Sequence, residues 1–160
     1  MEKKQFKFYT EYNQFYLSSD KGGFLNSVIN VDEIAYLTRL NIENNALVIF
    51  TQGYGRIKGE IEVLENSNQN INYSMYDHIV EGGIDIKSGE LQILNCPDSN
   101  LELSLKVTPG KYRVRVYSSN LSSVKETDLA NDTDDDYYRI EIWPSENMER
   151  KVLKQYEVGL

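Results

Sequence analysis

The sequence predicts an all-β protein: an antiparallel β-sandwich of about eight to ten strands, with room for one short helix near 31–40. Three observations carry this. Short runs of alternating apolar and polar residues recur at intervals of roughly 8–12 residues. Gly, Pro, Asn and Asp separate those runs as turn formers do. Twelve tyrosines stand beside one tryptophan and five phenylalanines, a balance that suits pleated, half-buried surfaces.

Taken in order, Phe6, Phe8 and Thr10 face one way and Lys7, Tyr9 and Glu11 the other, so the chain opens as a strand. Residues 13–18 stay extended, with Phe15 and Leu17 on one side, and Asp20-Lys21-Gly22-Gly23 is a turn. Val31, Ile34 and Leu37 recur at helical spacing, and Asp32 and Glu33 suit a first helical turn. Asn44-Asn45 turns the chain again. Ala46 to Thr51 is a continuous, β-branched apolar run, which fits a central strand buried on both faces. After Gly53-Tyr54-Gly55, Ile57, Ile61 and Val63 alternate with Lys58, Glu60 and Glu62. Gly59 interrupts that pattern and marks a bulge or a close backbone approach. Residues 66–72 form an asparagine-rich loop.

Three short strands follow at 77–81, 84–87 and 90–95, separated by Gly82-Gly83 and Ser88-Gly89. Leu101, Leu103, Leu105 and Val107 share a face of the next. Pro109-Gly110 is turn chemistry. Beyond it Tyr112, Val114 and Val116 alternate with Lys111, Arg113, Arg115 and Tyr117, one dry face and one wet. Tyr138, Ile140 and Ile142 alternate with Tyr137, Arg139 and Glu141 in the same way, and Pro144 stops the run. The connection between these two strands is too long for a tight hairpin and reads as a functional excursion. The tail reads as a late strand through Val152, Lys154 and Tyr156.

A chain of 160 residues suits a single domain, 1–160, with its own core. Its net charge is −8. That balance disfavours nucleic acid and anionic membranes and makes a basic protein the natural partner, although simple solubility accounts for it equally well. The lone Cys96 forms no internal disulfide, no secretory h-region follows the first residues, and no apolar run approaches a membrane span. The expected location is the cytoplasm.

No catalytic motif is present, and no enzyme or cofactor is expected. His78 and Cys96 read as structural side chains. The strongest local signal is acidic: Glu126, Asp128, Asp132, Asp134, Asp135 and Asp136 precede Tyr137 and Tyr138. Asp132, Asp134 and Asp136 share the opening spacing of a calcium loop, but Tyr137 stands where its glycine belongs and Trp143 where its glutamate belongs, so no metal is expected. A solvated charge run is one reading. The other is a partner-binding patch of Asp128, Asp132, Asp134, Asp135, Asp136, Tyr137 and Tyr138, its carboxylates steering a basic surface and its tyrosines anchoring it.

Glu11-Tyr12-Asn13-Gln14-Phe15, the run from Asp77 to Ile86, and Pro109-Gly110-Lys111-Tyr112-Arg113-Val114 occur in the order found in the competence protein J family, which the chain resembles. The resemblance extends to bacterial proteins that combine a Gly-x-Tyr-Arg-x-Arg-Val strand, an acidic loop and a Trp-Pro pair, here Trp143-Pro144. It implies a β-sandwich that binds and silences a nuclease or related toxin, as an inhibitor or immunity protein does. The alternative is a structural or ligand-binding β-domain without a toxin partner.

Overall fold

Residues 2–19, 31–43 and 45–157 are described by the structure, a computed structural model. The turn expected at 20–23 and the Asn44 half of the next turn lie outside the described residues. Two sheets pack face to face. The larger has strand order β1 (Lys3–Thr10), β5 (Gly55–Val63), β10 (Tyr137–Pro144), β9 (Gly110–Ser119), β6 (His78–Ile86), β11 (Lys151–Lys154). The smaller runs β3 (Leu40–Glu43), β4 (Ala46–Phe50), β2 (Gln14–Ser18), β7 (Glu90–Leu94), β8 (Leu101–Lys106). The expected all-β sandwich is therefore the fold. It has eleven strands among the described residues, and β10 lies parallel to β5, so it is not purely antiparallel.

The core is the layer between the sheets. Phe6, Phe8, Ile57, Ile61, Val114, Val116, Ile140 and Ile142 come from one sheet, and Phe15, Leu17, Leu47, Ile49, Leu91 and Ile93 from the other. Each such side chain contributes on the order of 1.5–3 kcal/mol by leaving water. Rings of Phe6, Phe8 and Phe15 meet at 5.7–5.8 Å, and Tyr138 packs near-perpendicular to Phe15 at 6.4 Å. Gly59 is a close backbone approach: a β-carbon there would lie 2.0 Å from the Tyr138 carbonyl oxygen.

Three sequence expectations are corrected. Gly82 and Gly83 do not separate two strands; β6 runs straight through them. A β-carbon at Gly82 would meet Leu40 at 2.8 Å, and one at Gly83 would meet Met148 at 2.6 Å, so both glycines admit neighbours onto a continuous strand. The helix exists as α1 (Glu33–Thr38), capped by Asp32, whose side chain accepts the Ala35 N–H at 2.8 Å. Its apolar stripe faces outward, with Ile34 56% and Leu37 65% exposed. The helix instead lays Ala35 and Thr38 against the outer face of the smaller sheet, beside Tyr16, Val48 and Phe50. It is too short for its periodicity to dominate, and β3 begins two residues after it ends.

The third correction concerns the wet face of β9. Arg113 and Arg115 are each only 5% exposed. Glu81 on β6 accepts from both, Arg113 Nε at 2.8 Å and Arg115 Nε at 2.6 Å. Arg115 continues to Glu141 at 3.6 Å, and Arg139 reaches Glu141 at 2.8 Å, Glu62 at 2.6 Å and Glu60 at 2.5 Å. Lys3 closes the row on Glu60 at 2.9 Å. Four cations thus meet four carboxylates: Lys3, Arg113, Arg115 and Arg139 against Glu60, Glu62, Glu81 and Glu141. Loops cover the layer. Arg115 donates to the Asn68 carbonyl at 2.9 Å, and Arg113 to the carbonyls of Asn147 at 3.1 Å and Glu149 at 2.7 Å. Tyr76 stacks on Tyr117 at 4.6 Å, and Trp143 lies 4.9 Å from the Arg115 guanidinium.

His78 ties α1 to the C-terminal segment. It is buried, with Nε2 2.8 Å from the Thr38 carbonyl, while Nδ1 accepts the Tyr156 N–H at 2.9 Å. Those partners require the neutral ring carrying its proton on Nε2. Among the described residues, no helix is long and apolar enough to cross a membrane.

Two outcomes test this. Glu81→Ala leaves the buried Arg113 without an ion pair and Arg115 with only Glu141 at 3.6 Å, and we expect a loss of about 3–5 kcal/mol in denaturant unfolding. Burial holds the His78 pKa down at about 4, against an ordinary 6.5. The folded state therefore binds fewer protons than the unfolded chain, and stability present above pH 6.5 is lost as pH falls toward 4, by about 3 kcal/mol. Unfolding free energies measured across that window should slope in the wild type and flatten in His78→Gln.

Candidate functional site

One end of the sandwich collects the β1–β2 turn at 11–13, the β4–β5 turn at 51–54 and the long β9–β10 connection at 120–136. Asn13 fastens them. It adopts positive φ (54°), as does Tyr12 (58°), a conformation asparagine tolerates better than most residues. Its Nδ2 donates to the carbonyls of Thr127 at 2.6 Å, Gly53 at 3.1 Å and Gln52 at 3.3 Å.

The acidic connection divides into tethers and free charges. Asp136 is buried. Its Oδ2 accepts the Gly53 N–H at 2.9 Å and the Tyr138 hydroxyl at 2.5 Å. That hydroxyl also accepts the Gln52 N–H at 2.7 Å. A β-carbon at Gly53 would sit 2.7 Å from the Asp136 carboxylate, so this contact requires glycine. Tyr138 belongs to the core, where burial and then the Asp136 charge push its hydroxyl pKa well above the ordinary value. Neither Asp136 nor Tyr138 can touch a partner, which removes both from the expected patch. Alternation along β10 decides this: Tyr138 shares the inner face with Ile140 and Ile142.

Asp135 pairs with Lys58 at 2.5 Å and accepts from Asn120 at 3.2 Å, and the Lys58 ammonium holds its carboxyl below the usual range. Asp134 caps a local turn by accepting the Asn131 N–H at 3.1 Å. Its other oxygen, Oδ1, is shielded and without a hydrogen bond. Tyr137 is half-buried and donates to Glu60 at 2.9 Å; burial and that carboxylate push its pKa up to about 12. Asp128 and Asp132 are exposed, and neither forms a hydrogen bond or ion pair with another described residue. Glu126 is exposed beside them, and its one side-chain hydrogen bond among the described residues comes from Asn131 Nδ2 at 3.4 Å. Among the described residues no cluster of His, Cys, Asp or Glu converges as metal ligands would.

Two hollows flank the connection. A cleft of about 480 Å³ is lined by Asp132 and Asp134 from the connection, by Lys7, Arg56 and Lys58 from β1 and β5, and by Tyr9 and Tyr54. Tyr54 donates to Glu11 at 3.0 Å, and that bond raises its pKa to about 12. The second, a groove of about 360 Å³, runs between α1 and the β1–β2 turn and is floored by Phe50 and Tyr156. The sequence reading missed Asn13, Gly53, Tyr9, Tyr54 and Arg39 as site residues. Consecutive Tyr12-Asn13 in a tight turn and Gly53 were visible signals, but their targets lie between 39 and 114 residues away.

The paired variants Asp136→Ala and Asp128→Asn separate tether from free charge. The first strands the Gly53 N–H and the Tyr138 hydroxyl and should cost about 3 kcal/mol of unfolding free energy. The second should stay within about 0.5 kcal/mol of wild type.

No family model matches the chain, and no curated protein matches it. Two solved structures do match. ComJ of Bacillus subtilis, described as an inhibitor of the DNA degrading activity of NucA, aligns with a TM-score of 0.66 at 16% identity, covering 89% of this chain and 96% of ComJ. The crocagin biosynthetic gene J protein aligns with a TM-score of 0.55 at 16% identity, covering 90% of this chain and 99% of that one. The sandwich described above is thus the fold of ComJ, in agreement with the fold that the sequence resemblance implied.

Proposed function

We propose that this chain is a non-catalytic, inhibitor- or immunity-like protein whose acidic loop end docks on the basic cleft of a nuclease or related toxin. The observation that carries the reading is the division of labour in the 120–136 connection. Asp135 and Asp136 hold it down, while Glu126, Asp128 and Asp132 face solvent with no ion pair to a described residue. Fastened at Asn13, Gly53 and Lys58, those free carboxylates lose little further entropy on docking.

A nuclease cleft is built to hold closely spaced negative charge. Glu126, Asp128 and Asp132 supply such charge from a protein surface, and the net −8 steers encounter from a distance. Tyr9, Tyr12 and Leu129 are exposed on the same end and add anchor area. The shared fold with an inhibitor of NucA supports the same assignment. A second reading, a ligand-binding β-domain, is favoured by the tyrosine-walled cleft, whose volume suits a small molecule.

The test is capture from the source cells on the immobilised chain, followed by a DNA-cleavage assay of what is retained. A basic nuclease that the chain silences supports the reading. Converting Glu126 to Gln and Asp128 and Asp132 to Asn should lower its association rate roughly tenfold and flatten the salt dependence. Unchanged association in that triple variant removes the loop assignment, and a captured nuclease that remains active removes inhibition.

A further inference from the structure

The groove beside α1 holds a cation with no counter-ion among the described residues. Arg39 follows the helix in the left-handed conformation, φ 63° and ψ 24°. Glycine adopts that helix-ending conformation most cheaply, and a side chain there costs about 1 kcal/mol. The compensation visible within the chain is small. The Arg39 guanidinium donates to the Gln52 side-chain oxygen and lies 5.6 Å from the Tyr156 ring centre. It forms no ion pair with any described residue. This contrasts with Arg113, Arg115 and Arg139, each of which has a carboxylate within 2.8 Å. Burial lowers the Arg39 pKa from its ordinary value, the mark of a partly desolvated charge, against a weaker pull from Asp136 and Asp77.

Aromatic side chains line much of the groove. Tyr36 packs on Phe50 at 4.8 Å, Tyr12, Leu37 and Tyr156 lie with them, and Asn13, Gln52, Thr127 and Gln155 supply polar lining. Tyr12, Tyr36 and Leu37 are 66%, 59% and 65% exposed, so large apolar side chains face water at the groove that holds the charge. An aromatic slot with one convergent charged group is the usual form of a small-ligand site. A planar guanidinium with unused N–H donors matches a carboxylate in geometry. Thr127, which lines the groove, is flanked in sequence by the exposed Glu126 and Asp128, and those charges penalise a multiply charged phosphate more than a single carboxylate.

From this geometry we infer that the Arg39 groove binds an aromatic or apolar group carrying one carboxylate, with the acid on Arg39 and the apolar body between Tyr12, Tyr36 and Phe50. This goes beyond the docking role of the acidic loop and does not depend on it. Two sources share the chemistry: a free aromatic acid, and the C-terminal carboxylate of a protein ending in an aromatic residue.

The test uses the full chain and four probes followed by calorimetry and tyrosine chemical shifts: N-acetylphenylalanine, a short peptide ending in phenylalanine, and the C-terminal amide of each. We expect at least one acid to bind saturably, its amide roughly ten- to a hundredfold more weakly. Tighter binding of the peptide identifies a protein tail, and tighter binding of the free acid a small metabolite. Arg39→Gln should erase the difference between acid and amide. Tyr12→Ala, at an exposed position outside the core, should weaken acid and amide alike while leaving the fold intact. Equal affinity of acid and amide for the wild type, or no saturable binding of either acid, overturns the assignment.

Discussion

The larger sheet depends on a constraint that an ordinary sandwich does not face: its outer surface carries buried charge. Glu81 stands between Arg113 and Arg115, and Glu141 stands between Arg115 and Arg139. Each arginine is desolvated, so each must be matched within hydrogen-bonding distance or the strand carrying it is lost. The alternation of β9 and β10 therefore serves two dry layers. The inner one is apolar, with Val114, Val116, Ile140 and Ile142, and the outer one is ionic. Covering loops are fixed in turn because their carbonyls complete the arginines' donor sets. Such paired buried charges add little net stability, but removing one partner is strongly destabilising because it leaves the other charge buried and uncompensated.

The same strand connects this layer to the candidate site. β10 places Glu141 and Arg139 outward and Tyr138 inward, and the Tyr138 hydroxyl emerges at the loop end to meet Asp136 and the Gln52 N–H. Gln52 also accepts from Arg39 through its side chain. A line of contacts thus runs from Arg39 in one hollow through Gln52 and Tyr138 to Asp136 at the edge of the other. The acidic connection and the aromatic groove are built on one framework of buried polar groups. Within it the Gln52 N–H, the Tyr138 hydroxyl, the Gly53 N–H and the Asp136 carboxylate satisfy one another, which keeps a long connection in a defined shape.

Charge has two roles in this chain. The row of four cations and four carboxylates is internally neutral, so it contributes nothing to the net −8. The excess lies on the surface, and part of it is concentrated where the tethered connection presents Glu126, Asp128 and Asp132. Composition alone cannot distinguish those populations. Burial can, because a carboxylate facing Arg139 at 2.8 Å is not available to a partner and one in water is.

The sequence by itself determined the fold class, most strand positions, the long excursion between β9 and β10 and the acidic character of that excursion. These follow from local quantities: period-two alternation, turn residues and charge counts. Tertiary structure decided the rest. It made β10 parallel to β5, ran β6 through Gly82-Gly83, turned the Ile34–Leu37 stripe outward and buried the polar faces of Arg113 and Arg115. It also withdrew Asp136 and Tyr138 from the surface and brought Asn13, Gly53 and Arg39 to the site. The physical reason is that alternation says which residues share a face but not what covers it. A face reads as wet when its residues are polar, and only partners distant in the chain, here Glu81 for Arg113 and Gly53 for Asp136, reveal that it is dry.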